Sequence, residues 1–145
     1  MHAKALMVTL LVSLLPTASQ ATNLMYMPFE TVVSDAIRAG RLDGSVKFYL
    51  AGNRLDGPAH VLQANVSAFN ETNGFTLSDN DSCEVAVQAV LVSLQNAAKH
   101  TGANAVTNIV SNYDQRVRKD LNTYECQAGV FKTGVALRGD LARVQ

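Results

Sequence analysis

Apolar and polar positions change period several times along the chain, and the changes mark its elements. From Pro28 the apolar residues Phe29, Val32, Val33, Ala36 and Ile37 fall at helical spacing, with Glu30 at the favourable end of the helix dipole and Gly40 as the stop. Val46, Phe48 and Leu50 then alternate with Ser45, Lys47 and Tyr49, which predicts a half-buried strand. After the turn-rich run Gly52 to Pro58, an extended pattern resumes from His60 to Phe69. There Val61, Gln63, Asn65 and Ser67 face one way, and Leu62, Ala64, Val66 and Ala68 the other. These two strands read as a hairpin.

The strongest periodicity lies between about Asp79 and His100. Cys83, Val87, Val90, Leu91, Leu94, Ala97 and Ala98 recur at steps of three and four, making one apolar stripe. Ser78 is the expected N-cap, with Asp81 three residues on to return the bond, and Gly102 suits the left-handed closing position. Ala105 to Tyr113 predicts a third strand and Thr123 to Arg138 a long fourth one, with Gly129 and Gly134 allowing a bulge or a close backbone approach. The expectation is an α+β fold: an antiparallel sheet of about four strands in ββαββ order, one long helix packed on a face, and a short N-terminal helix.

The first 21 residues read differently. Lys4 precedes an apolar run from Ala5 to Leu15, Pro16 ends it, and Ser19-Gln20-Ala21 places small residues where a signal peptidase reads them. Cleavage after Ala21 fits best, after Ala18 second. The run is too short to span a bilayer, so residues 1–21 are expected to be a signal peptide and residues 22–145 a single domain without a transmembrane segment. No cysteine near the cut offers a lipid attachment point, so the expected address is periplasmic or secreted. The 145-residue chain has 12 basic and 12 acidic residues, and the signal removes Lys4 alone. A balance so near neutrality gives no reason to expect nucleic acid or an anionic membrane as partner. Arg116, Arg118 and Lys119, flanked by Asp114 and Asp120, read as a solvated loop.

The cysteine inventory adds a constraint. Cys83 and Cys126 are the only two, the first in the opening turns of the long helix and the second in the terminal strand region. In an oxidising compartment they are expected to pair, stapling helix to sheet, and closing a loop of that length contributes about 4 kcal/mol. The competing reading is a reactive thiol at Cys83, its pKa lowered by the helix N-terminus. The lack of a C-x-x-C spacing favours the bridge.

Other matches lack their partners. Lys132-Thr133 sits among glycines, but Phe131 stands where a P-loop needs glycine, and a strand follows where a helix should. Ser78-Asp79-Asn80 and Lys132-Thr133-Gly134 reproduce two penicillin-recognising motifs, yet no Ser-x-x-Lys supplies a nucleophile. His60 and His100 stand apart from other ligand types, so neither a metal site nor a cofactor is expected. Asn65-Val66-Ser67, Asn70-Glu71-Thr72 and Asn80-Asp81-Ser82 are glycosylation sequons by pattern.

The segment Thr101-Gly102-Ala103-Asn104-Ala105-Val106-Thr107-Asn108-Ile109-Val110-Ser111, followed by Tyr124 to Gly129 and Gly134 to Gly139, carries a resemblance. With Val46-Lys47-Phe48-Tyr49 and Cys83, it resembles small exported bacterial proteins that bear the name "excinuclease ATPase subunit". More distantly, the helix ending in Gly-Ala-Asn-Ala-Val and the glycine-containing last strand are similar to the YbjQ-like fold, which also occurs in the Rcs envelope-stress lipoprotein. The resemblance implies a periplasmic address, a helix on a sheet and a disulfide. It also implies self-association through sheet edges, because YbjQ-like domains form rings. The ATPase name is contradicted by the chain itself, which has no P-loop, no zinc cysteines and no basic surface. The lipoprotein's role does not carry over either, since its lipid-bearing cysteine has no counterpart.

Two functions follow as expectations. The first is a non-catalytic periplasmic binding or interaction module, possessing no acid–base or nucleophilic set, whose partner is an envelope protein or a second copy. The alternative is a small-ligand-binding protein or enzyme with a site near the end of the long helix, built from Asn104, Asn108, Tyr113, Tyr124 and Glu125.

Overall fold

The computed structural model describes residues 22–145; the signal peptide expected over residues 1–21 lies outside the described residues. In chain order the elements are β1 (Thr22–Pro28), α1 (Phe29–Arg38), β2 (Lys47–Leu50), β3 (Ala59–Asn73), α2 (Asp79–Thr101), β4 (Ala105–Ser111), a single 3₁₀ turn (Tyr113–Gln115), β5 (Thr123–Gly129) and β6 (Lys132–Val144). The α+β class stands, but the sheet has six strands and is mixed rather than antiparallel with about four.

Three differences from the expected pattern have physical reasons. β1 has apolar residues on both faces, Leu24 and Tyr26 outward and Met25 and Met27 half-buried, so its sequence shows no two-residue alternation. It pairs antiparallel with β5. β2 and β3 do not form a hairpin: β2 runs parallel to β4, while β3 pairs with β6 along nearly its whole length. The loop between them is turned away by its own polar contacts, Asp56 accepting hydrogen bonds from Lys47 Nζ at 2.5 Å and Tyr49 Oη at 2.9 Å. Finally, the long last strand is two strands, because the chain reverses between Gly129 and Lys132 and then continues to Val144.

Helix α2 forms as its sequence dictates. Ser78 Oγ accepts the Asp81 N–H at 3.1 Å, and Gly102 closes the helix at φ +83. Its stripe of Cys83, Val87, Val90, Leu91, Leu94 and Ala98 is fully buried and packs chiefly on β3 and β6. From the sheet, β6 contributes Val135, Leu137 and Leu141, while β5 contributes Tyr124, whose ring meets Phe29 of α1 edge-on at 6.5 Å.

The sheet curls around β6. Its neighbours on both sides carry a bulge at one level, each with an asparagine in the left-handed region, Asn65 at φ 56 and Asn108 at φ 52. Both turn toward Asp140, which accepts the Asn65 N–H at 2.9 Å and lies 3.5 Å from the Asn108 amide. The inner side of this curl requires Gly139. A Cβ there would stand 2.8 Å from Val106 Cγ1 and 3.0 Å from the Thr107 carbonyl oxygen.

Cys83 and Cys126 are bridged, joining α2 to β5. This bridge matters because β5 meets β6 only where Gln127 lies opposite Gly134 and Ala128 opposite Thr133. The β1–β5 ribbon therefore depends on the disulfide and on the Phe29–Tyr124 contact for much of its attachment.

Replacing both cysteines by alanine is expected to reduce unfolding stability in urea by about 4 kcal/mol. Hydrogen exchange should speed up first in β1 and β5 and later in β3 and β6. Gly139→Ala is expected to cost about 1–3 kcal/mol through overpacking, read from the same urea transition.

Candidate functional site

Strand parity separates a closed face of the sheet from an open one. On β6, Thr133, Val135, Leu137 and Leu141 turn to α2, with Thr133 Oγ1 at 2.9 Å from Ser82 Oγ. Gly134, Ala136, Arg138 and Asp140 therefore turn the other way. Opposite them on β3 stand Glu71 (against Gly134), Phe69 (against Ala136) and Ser67 (against Arg138), all exposed. No helix among the described residues covers this face. The 3₁₀ turn after β4 folds over part of it, and the Tyr113 ring sits so close to Gly134 that a Cβ there would lie 2.6 Å from the ring edge.

A row of aromatic and charged side chains results. Phe69 leans on Tyr113 with ring centroids 6.0 Å apart, and Lys132 Nζ pairs with Glu71 Oε2 at 3.4 Å. At the tip of the sheet, Phe75 and Phe131 stack at 6.3 Å with their planes 3° apart. Phe75 is 70% exposed and Phe131 54% exposed, large values for stacked phenylalanines in two adjoining turns. They line an apolar recess of about 640 Å³ with Glu71, Thr72, Asn73 and Lys132. Farther along, a second recess of about 610 Å³ is bounded by Ser67, Phe69, Asn112, Asp114, Gln115 and Arg138. The loop beside it is strained: Asp114 (φ 50) and Gln115 (φ 60) both occupy the left-handed region that favours glycine.

Beside this face runs a free edge. β3 is hydrogen-bonded to β6 alone, and no other described strand pairs with its outer side. The stretch Val66–Asn73 is regular, without a bulge, and contains no proline, lysine or arginine. Those are the residues that ordinarily protect an edge from pairing.

The five residues expected to assemble near the end of α2 do not form one site. Asn104 is a clamp: its side chain donates to the Val144 carbonyl and accepts the Val144 N–H, both at 2.8 Å, securing the end of β6. Asn108 forms a bulge beside Asp140. Tyr124 is in the core, and burial pushes its hydroxyl above the ordinary tyrosine value, with Glu84 adding to the shift. Tyr113 and Glu125 lie on the open face. Burial, Asp114 and Glu71 raise the Tyr113 hydroxyl pKa. Glu125 is buried, accepts a hydrogen bond from Gln127 Nε2 at 3.0 Å, and faces Arg116 at 4.0 Å. Parity explains the scatter: Tyr124 and Glu125 are adjacent on one strand and so point to opposite faces.

Sequence reasoning missed Phe69, Phe75, Phe131 and Arg138. The available signal was aromatic residues at polar positions, since Phe69 follows Ser67 on the outward face, Phe75 stands beside Gly74, and Phe131 comes two residues after Gly129. Among the described residues no three His, Cys, Asp or Glu side chains converge to hold a metal, and no helix is long and apolar enough to cross a membrane. No protein-family model, curated protein or solved structure matches the chain.

The buried phenol gives a pH dependence. Folded Tyr124 keeps its proton to higher pH than the unfolded residue, whose ordinary value is 10.0. Its contribution is complete below about pH 10 and is lost as pH rises toward the folded pKa. Tyr124→Phe is expected to lessen the alkaline fall in urea midpoint between about pH 8 and about pH 11.

Proposed function

We propose that this protein is a non-catalytic binding module of the periplasm or extracellular space that receives an extended polypeptide segment on the free edge of β3. The observation behind it is that edge: regular from Val66 to Asn73, unprotected by proline or basic residues, and bonded on one side only. An incoming strand would take its main-chain hydrogen bonds from β3, the mode by which sheet edges add peptides. Side-chain preference would come from the adjoining apolar recess between Phe75 and Phe131, which suits an apolar or aromatic residue. The partner in this reading is an envelope protein with an extended, weakly charged segment. The exported address is supported by the disulfide, a bond that forms and persists chiefly in oxidising compartments, and by the signal-like first 21 residues.

A second reading, self-association through the same edge, is favoured by the low charge of Val66–Asn73. Two copies could pair antiparallel there with only Glu71 as a repeated charge.

A photo-cross-linker at position 67 in the exported protein tests both readings. The expected result is a cross-link to one extended segment of an envelope protein, lost in Phe69→Lys and retained in Val117→Lys, a control on an exposed loop. Cross-links between identical chains, with a mass that rises with concentration in light scattering, would support the second reading. A strict monomer that cross-links to nothing in its own envelope fraction would sink both.

A further inference from the structure

Arg138 occupies the open face of β6, half-buried, opposite Ser67 of β3. The other arginines that bridge or cap do so with evident partners: Arg38 with Asp35, Arg118 with Asp120, and Arg143 with the Gly102 carbonyl. Among the described residues Arg138 makes no ion pair and no side-chain hydrogen bond. A guanidinium carries five N–H donors, and partly desolvating it without an acceptor is unfavourable. It lines the open recess of about 610 Å³ beside the 3₁₀ turn.

Asp114 lines the same recess and does not bridge to Arg138. Its backbone, at φ 50 and ψ 35 and followed by Gln115 at φ 60, is held in a conformation uncommon for residues other than glycine. Two opposite charges therefore share one cavity without pairing. Other groups lining the recess are polar and weakly engaged: the Asn112 amide reaches Ser67 Oγ only at 3.5 Å, and Gln115 stands on the rim. Phe69 supplies an apolar wall. The neighbouring charges are engaged elsewhere, Lys132 with Glu71 and Arg116 toward Glu125.

We propose that this recess binds a free α-amino acid, its carboxylate on the Arg138 guanidinium and its ammonium on Asp114. Planar, fork-shaped donors match a carboxylate in two parallel hydrogen bonds. A ligand that carries an ammonium and a carboxylate on one carbon satisfies the two side chains at once, which neither a simple anion nor a simple cation does. The recess shares Ser67 and Phe69 with β3, but it is tested through Arg138 and Asp114, which the edge does not use, so its failure is distinguishable from failure of the edge reading.

The test is titration of the exported protein with each common amino acid, up to about 10 mM, ten times the Kd of a millimolar site. Binding is followed by the backbone amide NMR shifts of Ser67, Asp114 and Arg138. The expected result is that at least one amino acid shifts these signals, while its C-terminal amide and its N-acetyl form bind at least about tenfold more weakly. Arg138→Gln should abolish binding and Arg138→Lys should restore part of it. Asp114→Asn should reduce affinity for the free amino acid to that of the N-acetyl form. Well-dispersed spectra confirm that each variant is folded. The proposal is overturned if no amino acid shifts the three signals, if the amide or N-acetyl form binds as well as the parent, or if folded Arg138→Gln keeps its affinity.

Discussion

Strand β6 is paired on both sides while one of its faces is covered by α2, and every other element takes its position from that arrangement. On one side it carries β3; on the other it carries first β5 and then β4. Two strands sharing one side of a single neighbour must diverge, and the sheet therefore curls. The divergence is absorbed by paired bulges at Asn65 and Asn108, and by the missing side chain at Gly139, where Val106 and Ile109 close over the backbone. Asp140, between the bulges, accepts the backbone N–H that one of them frees. A glycine and three polar residues thus set the curvature on which the apolar core is laid.

The same arrangement explains why the disulfide sits where it does. A strand that shares so little of β6 has few ladder bonds to hold it, and β1 reaches the sheet only through β5. Linking Cys126 to the buried face of α2 attaches the ribbon to the most firmly packed element of the fold. Phe29 and Tyr124 reinforce the attachment from α1. The bridge is therefore architectural in its position, with both cysteines fully buried and neither presented to solvent.

What remains for recognition is set by subtraction. One face of the sheet is spent on the core, so exposed aromatic and charged groups collect on the other face and unpaired main-chain groups at the β3 edge. That face is unlike a solvated one: it has stacked phenylalanines at the tip, a tyrosine over a glycine, and an arginine without a partner. The edge and the polar recess can serve different ligands, since one offers main-chain groups in a row and the other two fixed charges. Both combine strand residues with side chains of short turns, Asp114 beside β4 and Phe75 and Phe131 at the sheet tip.

Local chemistry was enough to determine α2, because its stripe, its Ser78 cap and its Gly102 stop all act within a few residues of one another. The same holds for α1 and for the presence of strands near residues 46–50, 60–69 and 105–113, which the structure bounds at 47–50, 59–73 and 105–111. The pairing of the two cysteines was also legible, since an inventory of two leaves one partner each. Partnership between strands was not: β2 looked like half of a hairpin because it is followed by turn residues, yet its neighbour is β4, which arrives after another strand and a helix. Nor could a sequence show that Tyr124 and Glu125 part to opposite faces while Ser67 and Arg138 stand opposite each other, or that Asn104 clamps the backbone of Val144 and Asn108 forms a bulge beside Asp140. Periodicity is a property of neighbours in the chain, whereas strand order, edges and cavities arise from contacts between residues far apart in it. Only the tertiary structure decides which polar groups are consumed by the fold and which are left over to bind.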